Sequence, residues 1–230
     1  MNKFDIRIIF LFFFTLDVLS ENIGQPGELF PIKVNKGIFT SSNGLIKIDN
    51  SYYKLVPLSF SKQGQYVMFE DTKIFIQNKD FGESRITITN NALVNLSNED
   101  KDRTIRESKI INKALQTYSK KMKPTFSFIS PVDGIISSRY GKKRFINNSP
   151  RSPHLALDIA APEGTKVLSP EDGKVILIGN FFYSGNYLII DHGQGLLSSY
   201  SHLSSISVSE DDILKQGQEI GKVGSTGRVT

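Results

Sequence analysis

Short runs of alternating apolar and polar residues, separated by turn residues, fill the chain from Asn22 to about Leu96. The runs "LIKID", "YYKLVPLSF", "QYVMF", "TKIFIQ" and "SRITIT" are rich in β-branched and aromatic residues, which favour strands. Breaks such as Asn43-Gly44 and Phe81-Gly82 contain glycine, a strong turn signal. The pattern predicts a small β-sandwich-like domain over residues 21–96.

The apolar period then changes from two residues to between three and four, and the charge density rises. Ser97 or Asn98 can cap a helix, and Glu99 and Asp100 fall in its first turn, where the helix dipole favours carboxylates. The apolar stripe consists of Ile105, Ile111, Leu115, Tyr118 and Met122. We predict one long helix over residues 97–123, ended by Pro124, either as a packed linker or as a helix that binds a partner.

Strand patterns return after Pro124 and continue to the last residue. "DGKVILIGN", "NYLIIDHG" and "GLLSSYSHL" each follow a glycine turn, and "ILKQGQEIGKVGSTGR" has a glycine about every three or four residues. No helix of normal length fits this part. The whole chain is therefore expected to be mainly β, with an antiparallel β domain over residues 124–230.

The first twenty residues have the order of a secretory signal peptide. Lys3 and Arg7 precede the apolar run "IIFLFFFTL", which is too short to cross a membrane, and the small residue Ser20 offers a cleavage site. We expect export after removal of residues 1–20, with no stable membrane span in the mature protein. A buried, amphipathic start of the fold is the alternative.

The amino-acid composition limits which compartment and which partners are expected. The chain contains no cysteine, so it has neither a lipoprotein attachment site nor a disulfide framework, which suits a bacterial periplasm or cell envelope. Its formal net charge is +5, which favours an anionic lipid or cell-wall polymer as partner, although solvated surface charge explains it equally. No dense Lys/Arg stripe interleaves with aromatic residues, so we expect no nucleic-acid binding. Nothing in the sequence fixes the oligomeric state.

The segment "SPHLALDIAAPEGT" contains a histidine four residues before an aspartate. If it is a strand, His154, Ala156 and Asp158 share one face, and Leu155, Leu157 and Ile159 face the core. An imidazole and a carboxylate on either side of a small residue are a ligand pair that zinc accepts. The spacing alone equally fits an ordinary surface pair.

Two other histidines lie in the second β domain. His202 in "SSYSHLSS" would share a strand face with Tyr200 and Ser204, where an imidazole could stabilise an oxyanion or form a structural hydrogen bond. His192 lies at a glycine turn, and we assign it no chemistry.

Four linked motifs resemble the lysostaphin-type (LytM-like) zinc metallopeptidases, from about Phe128 to Thr230. They are "ISSRYGKKR", "RSPHLALDIAAPEGTKVLSPEDGKV", "NYLIIDHGQGLLSSYSHLSS" and "QGQEIGKVGSTGRVT". The preceding β module and helix resemble those of the Gram-negative, periplasmic members. The resemblance implies a zinc-dependent endopeptidase that cuts peptidoglycan. It also implies that His154 and Asp158 bind zinc and that His202 stabilises the transition state.

The chain departs from the family pattern at two points. Ala156 stands where the family has glycine between the first two ligands. In the family, a G-P-H-L-H segment that supplies the third zinc ligand follows the phrase corresponding to "GSTGRVT", whereas this sequence ends at Thr230. The metallopeptidase domain is therefore expected to be incomplete and the 230-residue chain inactive, either as a fragment of an enzyme or as a natural non-catalytic relative.

These sequence features predict two alternative classes of function. The first is a zinc endopeptidase that hydrolyses peptide cross-links of the bacterial wall. The second is a non-catalytic module that binds peptidoglycan or activates a wall amidase. A β-sandwich adhesin would account for residues 21–96 but not for His154, Asp158 and His202 together.

Overall fold

The computed structural model describes residues 22–34, 45–48, 50–89 and 94–228. The predicted signal peptide lies outside the described residues. In the part of the chain that is described, no helix combines the length and the apolar character needed to span a membrane. As predicted, the fold is mainly β, and the described residues contain one α-helix.

The N-terminal part is built from two three-stranded sheets. Their strands are β1 (Asn22–Gly24), β2 (Leu29–Val34), β3 (Leu45–Ile48), β4 (Ser51–Pro57), β5 (Tyr66–Phe69) and β6 (Thr72–Ile76). One sheet has the order β2-β4-β3 and the other β1-β6-β5. Every apolar run used for the prediction of β3 to β6 forms a strand. The sequence analysis missed β1 and β2; β2 contains Pro31, which argues against a strand.

The two N-terminal sheets share one apolar core. Val56 from β4 packs with Ile74 and Ile76 from β6, and Phe30 of β2 covers the cluster from the first sheet. Ile74 and Ile76 are fully buried. This arrangement agrees with the predicted sandwich-like architecture.

Strand β7 (Glu83–Ile86) connects the N-terminal part with the second half of the chain. It pairs in parallel with β9 (Lys143–Ile146), which also pairs with β10 (Ser149–Arg151) as an antiparallel hairpin. The predicted boundary near residue 96 therefore falls after a strand that already belongs to a sheet of the second half. This mixed sheet holds the β9–β10 hairpin, which leads directly to His154.

The helix α1 (Asn98–Ala114) begins where the sequence analysis places it and ends earlier than residue 123. Its first residues are capped by the Ser97 hydroxyl, which accepts a hydrogen bond from the Asp100 amide at 3.0 Å. Beyond it, Ser119 donates its hydroxyl hydrogen bond to Asp191, and the Ser119 carbonyl accepts one from the Gln194 amide at 2.9 Å. These bonds to the sheet replace the helical bonds that a longer helix would need.

Only part of the predicted apolar stripe of α1 faces the protein. Ile111 and Ala114 pack against the cluster formed by Leu177, Phe181, Tyr187 and Ile189, whereas Ile105 is 54 % exposed. The middle of the helix is held by polar contacts. Glu107 accepts a hydrogen bond from the Phe182 amide at 2.8 Å and pairs with Arg103 at 2.6 Å.

The C-terminal part is antiparallel within residues 124–228, as predicted. Its other strands are β8 (Ile135–Ser138), β11 (Asp158–Ala160), β12 (Lys166–Leu168), β13 (Gly173–Phe181), β14 (Gly185–Gly193), β15 (Leu196–Leu203), β16 (Ser205–Ile206), β17 (Ile213–Leu214) and β18 (Glu219–Lys222). They form sheets of order β15-β14-β13-β17, β12-β18-β16 and β11-β8.

Strand β14 is the centre of this part because both of its faces are covered. Leu188 and Ile190 pack against Ile220 of the β12-β18-β16 sheet, and Tyr187 and Ile189 belong to the cluster beneath α1. This explains the unbroken apolar run "YLII", since a strand buried on both faces does not alternate.

Tyr200 of β15 packs on the same core and is a source of pH-dependent stability. Burial raises the pKa of its phenol to about 12, and a hydrogen bond with Ser198 opposes that rise. The protonated phenol is thus favoured in the folded chain, where its hydroxyl donates to the Ser198 Oγ at 3.0 Å.

We therefore predict that the free energy of unfolding falls as the pH rises from 10 to 12. The ordinary pKa of 10.0 applies in the unfolded chain, so the contribution of Tyr200 to the free energy of unfolding is present below pH 10 and lost above pH 12. It amounts to about 3 kcal/mol. Denaturant titrations at several pH values measure it. Tyr200→Phe should flatten the curve, whereas Tyr118→Phe, which removes an exposed phenol, should leave it steep; equal curves for the parent and Tyr200→Phe would refute the assignment.

Candidate metal centre and its neighbouring histidine

The structure brings His154 and Asp158 into direct contact. The Nε2 atom of His154 lies 2.9 Å from the Oδ1 atom of Asp158. The imidazole is 6 % exposed, whereas about half of the carboxylate side chain is accessible to solvent. The pair therefore lies at the surface with one buried and one accessible member.

The backbone that joins them is not the continuous strand that the sequence analysis assumed. Residues 152–157 form no strand, and β11 begins only at Asp158. Leu155 and Leu157 are 55 % and 52 % exposed, so the prediction that they face the core was wrong. The reason is the pairing of His154 with the β9 side of the hairpin: its amide donates to the Lys142 carbonyl at 2.9 Å, and its carbonyl accepts from the Gly141 amide at 2.7 Å.

The other ring nitrogen of His154 points towards a main-chain acceptor. Nδ1 lies 3.4 Å from the Arg139 carbonyl oxygen and 3.4 Å from the Ser138 hydroxyl. A carbonyl oxygen can only accept, so this contact favours a proton on Nδ1. A histidine that donates from one nitrogen to a carbonyl and presents the other to a cation is the usual arrangement of a metal ligand.

The pair fits two positions of a zinc site. With the proton on Nδ1, the Nε2 lone pair faces a carboxylate oxygen at 2.9 Å, and only a proton or a cation between them makes this contact favourable. Zinc accepts both donor types. Among the described residues, however, no group of three or more His, Cys, Asp and Glu side chains could hold a metal ion. His154 and Asp158 thus supply two donors, and a zinc site needs at least one more.

His202 lies in β15 with an unusual backbone conformation. Its φ is +64°, in the left-handed region that residues with a Cβ rarely adopt. Its amide donates to the Ser184 carbonyl at 2.7 Å, and its Nδ1 lies 2.8 Å from the Thr226 carbonyl oxygen. The second contact fixes a proton on Nδ1 and leaves Nε2 as the remaining hydrogen-bonding atom of the ring.

A β-bulge separates His202 from Tyr200. Leu188 pairs with Tyr200 and Asn186 with Leu203, so two residues of β15 lie opposite Tyr187. The bulge reverses the alternation of side chains between the two faces of β15, so that Tyr200 and Leu203 pack against the same core. The prediction that Tyr200 and His202 share a strand face was therefore wrong, and Tyr200 bonds to Ser198 instead.

His192 has a partner for each ring nitrogen inside the protein. Nδ1 lies 2.8 Å from the Asp172 carbonyl oxygen, and Nε2 lies 2.7 Å from the Ser198 hydroxyl. The residue is 2 % exposed. This geometry fits a structural role, which agrees with its being assigned no chemistry.

Sequence reasoning missed Thr226 and Gly185, which hold His202 in place. The Thr226 hydroxyl accepts a hydrogen bond from the Asn186 amide at 2.9 Å and donates one to the Leu203 carbonyl at 2.8 Å. Gly185 has a φ of +62°, and a Cβ there would overlap the Thr226 backbone. The only sequence signal was the glycine spacing in "GSTGR" and "YSGN".

Comparison with known proteins shows which family this part of the chain resembles. Residues 152–230 match the profile of Peptidase family M23. The chain is similar to the peptidoglycan DD-endopeptidase ShyA of Vibrio cholerae, with 42 % identity over 103 residues that cover 44 % of this chain and 24 % of ShyA. It is also similar to the murein hydrolase activator NlpD of Salmonella typhimurium, with 34 % identity over 98 residues that cover 42 % of this chain and 24 % of NlpD. The chain thus spans about a quarter of each of these relatives.

A solved structure extends the likeness beyond the matched segment. A putative peptidase M23 from Pseudomonas aeruginosa has a TM-score of 0.66 with this chain at 28 % identity. The alignment covers 89 % of this chain and 85 % of that chain. The N-terminal sheets and the helix therefore have counterparts in that structure, together with the C-terminal sheets.

The contact between Gly185 and Thr226 generates a stability prediction. Gly185→Ala should lower the free energy of unfolding by about 2–4 kcal/mol, because it combines a left-handed backbone with overlap against Thr226. Gly164→Ala is the matched control, since Gly164 has a φ of +83° and a Cβ there would meet nothing within 4 Å. It should cost about 1–2 kcal/mol. Equal losses in chemical denaturation would contradict the proposed contact.

The donor count generates a metal-binding prediction. The 230-residue chain should lose zinc on dialysis against a mild chelator, because a complete four-ligand site is worth about 10–16 kcal/mol and two donors supply only part of that. His154→Ala should weaken the remaining affinity further, and His192→Ala should change it little. Zinc content by atomic absorption measures both, and one zinc per chain retained after dialysis would disprove the prediction.

Proposed function

We propose, from the match of residues 152–230 to Peptidase family M23, that this protein is a zinc-dependent endopeptidase that hydrolyses peptide cross-links of bacterial peptidoglycan. The observation that carries the proposal is the 2.9 Å contact between His154 Nε2 and Asp158 Oδ1 inside the matched segment. Peptidoglycan as substrate is consistent with the names of ShyA and NlpD and with the chain's formal net charge of +5.

His154 and Asp158 would hold the zinc ion, together with a donor from outside the described residues. A bound zinc ion supplies a Lewis acid for the carbonyl of the scissile peptide bond. The Arg139 carbonyl orients the His154 ring, because it accepts from Nδ1 and directs Nε2 towards Asp158.

His202 would stabilise the oxyanion that develops on the substrate. The Thr226 carbonyl binds Nδ1 and so fixes both the tautomer and the ring orientation. Nε2 can then donate a hydrogen bond to the substrate when the ring is protonated. The bulge at His202 assists this role, because it turns the imidazole away from the core occupied by Tyr200 and Leu203.

The proposal includes export to the periplasm or cell envelope. It rests on the predicted signal peptide at residues 1–20 and on the absence of cysteine, and it places the protein in the compartment that contains its proposed substrate.

A second candidate function is a non-catalytic module that binds peptidoglycan or activates a wall amidase. Two observations favour it: the similarity to a murein hydrolase activator, and the finding that the described residues contain two metal donors rather than three. The same residues would then form a binding surface. The parent protein would hydrolyse no peptidoglycan, so substitution of these residues would change binding and not hydrolysis.

The test is release of peptides from purified peptidoglycan by the full-length gene product. His154→Ala and Asp158→Ala should abolish both metal retention and hydrolysis. His202→Ala should keep its zinc while turnover falls by about 10²–10³, the usual loss for one oxyanion-stabilising donor. Chromatography of the released peptides, read beside the zinc content of each variant, measures both effects.

Ser201→Ala is the control for His202→Ala, because Ser201 is the adjacent residue of the same bulge. It should leave turnover within about twofold of the parent. Hydrolysis by His202→Ala at the parent rate would show that His202 is structural. Complete absence of hydrolysis by the parent protein with zinc bound would favour the activator instead.

A further inference from the structure

Three arginines stand on the elements that flank the candidate site. Arg144 of β9 and Arg151 of β10 are directly opposite each other in the hairpin ladder. Residues directly opposite in an antiparallel pair have Cβ atoms about 4.5–5.5 Å apart, and like charges in that arrangement are destabilising. The third member, Arg228, comes from the segment after β18.

Arg228 is oriented by the turn before β14, which also accepts a hydrogen bond from His202 of β15. Its amide donates to the Tyr183 carbonyl at 3.0 Å, and its guanidinium lies over the Tyr183 ring at 4.1 Å. The neighbouring Ser184 carbonyl accepts from the His202 amide. The turn at residues 182–184 therefore holds both Arg228 and His202.

Arg144 and Arg151 also influence the pKa of Arg228. Its pKa lies below the ordinary value of 12.5, first because of burial and then because of repulsion by Arg144 and Arg151. The interaction with Tyr183 opposes this shift. Arg144 and Arg151 are paired in the hairpin ladder and both repel Arg228, and we name the three residues the arginine cluster: Arg144, Arg151 and Arg228.

Arg144 is incompletely satisfied within the cluster. Its Nε–H is buried and has no hydrogen-bond partner. Among the described residues, neither Arg144 nor Arg151 forms an ion pair with a carboxylate, whereas Arg85 on the adjacent strand pairs with Glu83 at 2.7 Å. A buried guanidinium nitrogen without an acceptor costs free energy that a bound anion would recover.

The cluster joins the two halves of the candidate site. Arg144 and Arg151 stand on the β9–β10 hairpin, which ends at Arg151, three residues before His154. The hairpin pairing continues through Lys142 to His154 itself. Arg228 stands two residues after Thr226, whose carbonyl binds His202. An anion held by all three arginines would therefore lie between the elements that carry His154 and His202.

We propose that the arginine cluster is a carboxylate-binding subsite that holds a free carboxylate of a peptidoglycan stem peptide. The inference rests on the proposed function for the identity of the substrate. Stem peptides carry free carboxylates, and the planar fork of arginine matches a carboxylate in two parallel hydrogen bonds. Binding there would orient the peptide relative to His154 and His202 and would select anionic stems over amidated ones.

The test is calorimetric titration of the full-length, metal-free protein with the tetrapeptide L-Ala-D-Glu-meso-diaminopimelate-D-Ala. The tetrapeptide contains no cross-link, so binding is measured without hydrolysis. The free acid should bind at least about 10-fold more tightly than the same peptide with its carboxylates converted to amides. Arg144→Gln and Arg151→Gln should each weaken the free acid by about 10-fold and leave the amide unchanged.

Arg85→Gln is the matched control, because Arg85 lies in the same mixed sheet and already has a carboxylate partner. It should bind both peptides like the parent. Thermal unfolding gives a second readout: removal of one of several like charges in Arg144→Gln or Arg151→Gln should leave the melting temperature unchanged or raised. Arg151 is exposed, so its variant remains informative if Arg144→Gln fails to fold.

Equal affinity of the parent for the acid and the amide would overturn the proposal, as would unchanged selectivity in both arginine variants. His154→Ala separates this inference from the proposed hydrolysis, since it should abolish peptide release from peptidoglycan but retain the preference for the free acid. If the parent binds the free acid selectively but hydrolyses no peptidoglycan, the carboxylate-binding subsite is supported and the proposed enzymatic function is rejected.

Discussion

The contact of Thr226 with the end of β15 and the start of β14 is the constraint on which the candidate site depends. One residue accepts from the His202 ring through its carbonyl, accepts from the Asn186 amide and donates to the Leu203 carbonyl through its hydroxyl. Only a glycine at position 185 leaves room for this approach. The left-handed backbone of His202 carries a local cost of order 1–3 kcal/mol, and such strain persists when the surroundings over-determine it.

This constraint acts on a rigid support. Strand β14 is buried on both faces, by the β12-β18-β16 sheet on one side and by α1 on the other, so the β14–β15 ladder has little freedom to adjust. The other half of the site has a different support, because the β9–β10 hairpin is held by β7, the strand before α1 that connects the N-terminal part with the second half. His154 and His202 therefore stand on separately anchored elements. The N-terminal strands contribute to the geometry of the site although they contain none of its proposed ligands.

The strands were predictable because local alternation and glycine turns specify them. The shorter helix was not, because its end depends on hydrogen bonds that Ser119 donates to Asp191 and accepts from Gln194, residues more than seventy positions away. The contact between His154 and Asp158 was expected from their spacing, but the assumed strand was wrong and the hairpin pairing produces the contact instead. The bulge at His202 was hidden because its cause, Thr226, lies 24 positions later.

The charged groups of the site form two regions, one of which favours a bound cation and the other a bound anion. At His154 and Asp158, a nitrogen lone pair and a carboxylate face each other and favour a cation or a proton. In the arginine cluster, guanidiniums crowd together and favour an anion. A peptide that carries both a polarisable carbonyl and a free carboxylate satisfies both regions at once, with one defined orientation. The same division applies to either proposed function, since a peptidoglycan-binding module also needs an orienting anion contact. What separates the enzyme from the binder is thus whether a metal ion completes the pair formed by His154 and Asp158.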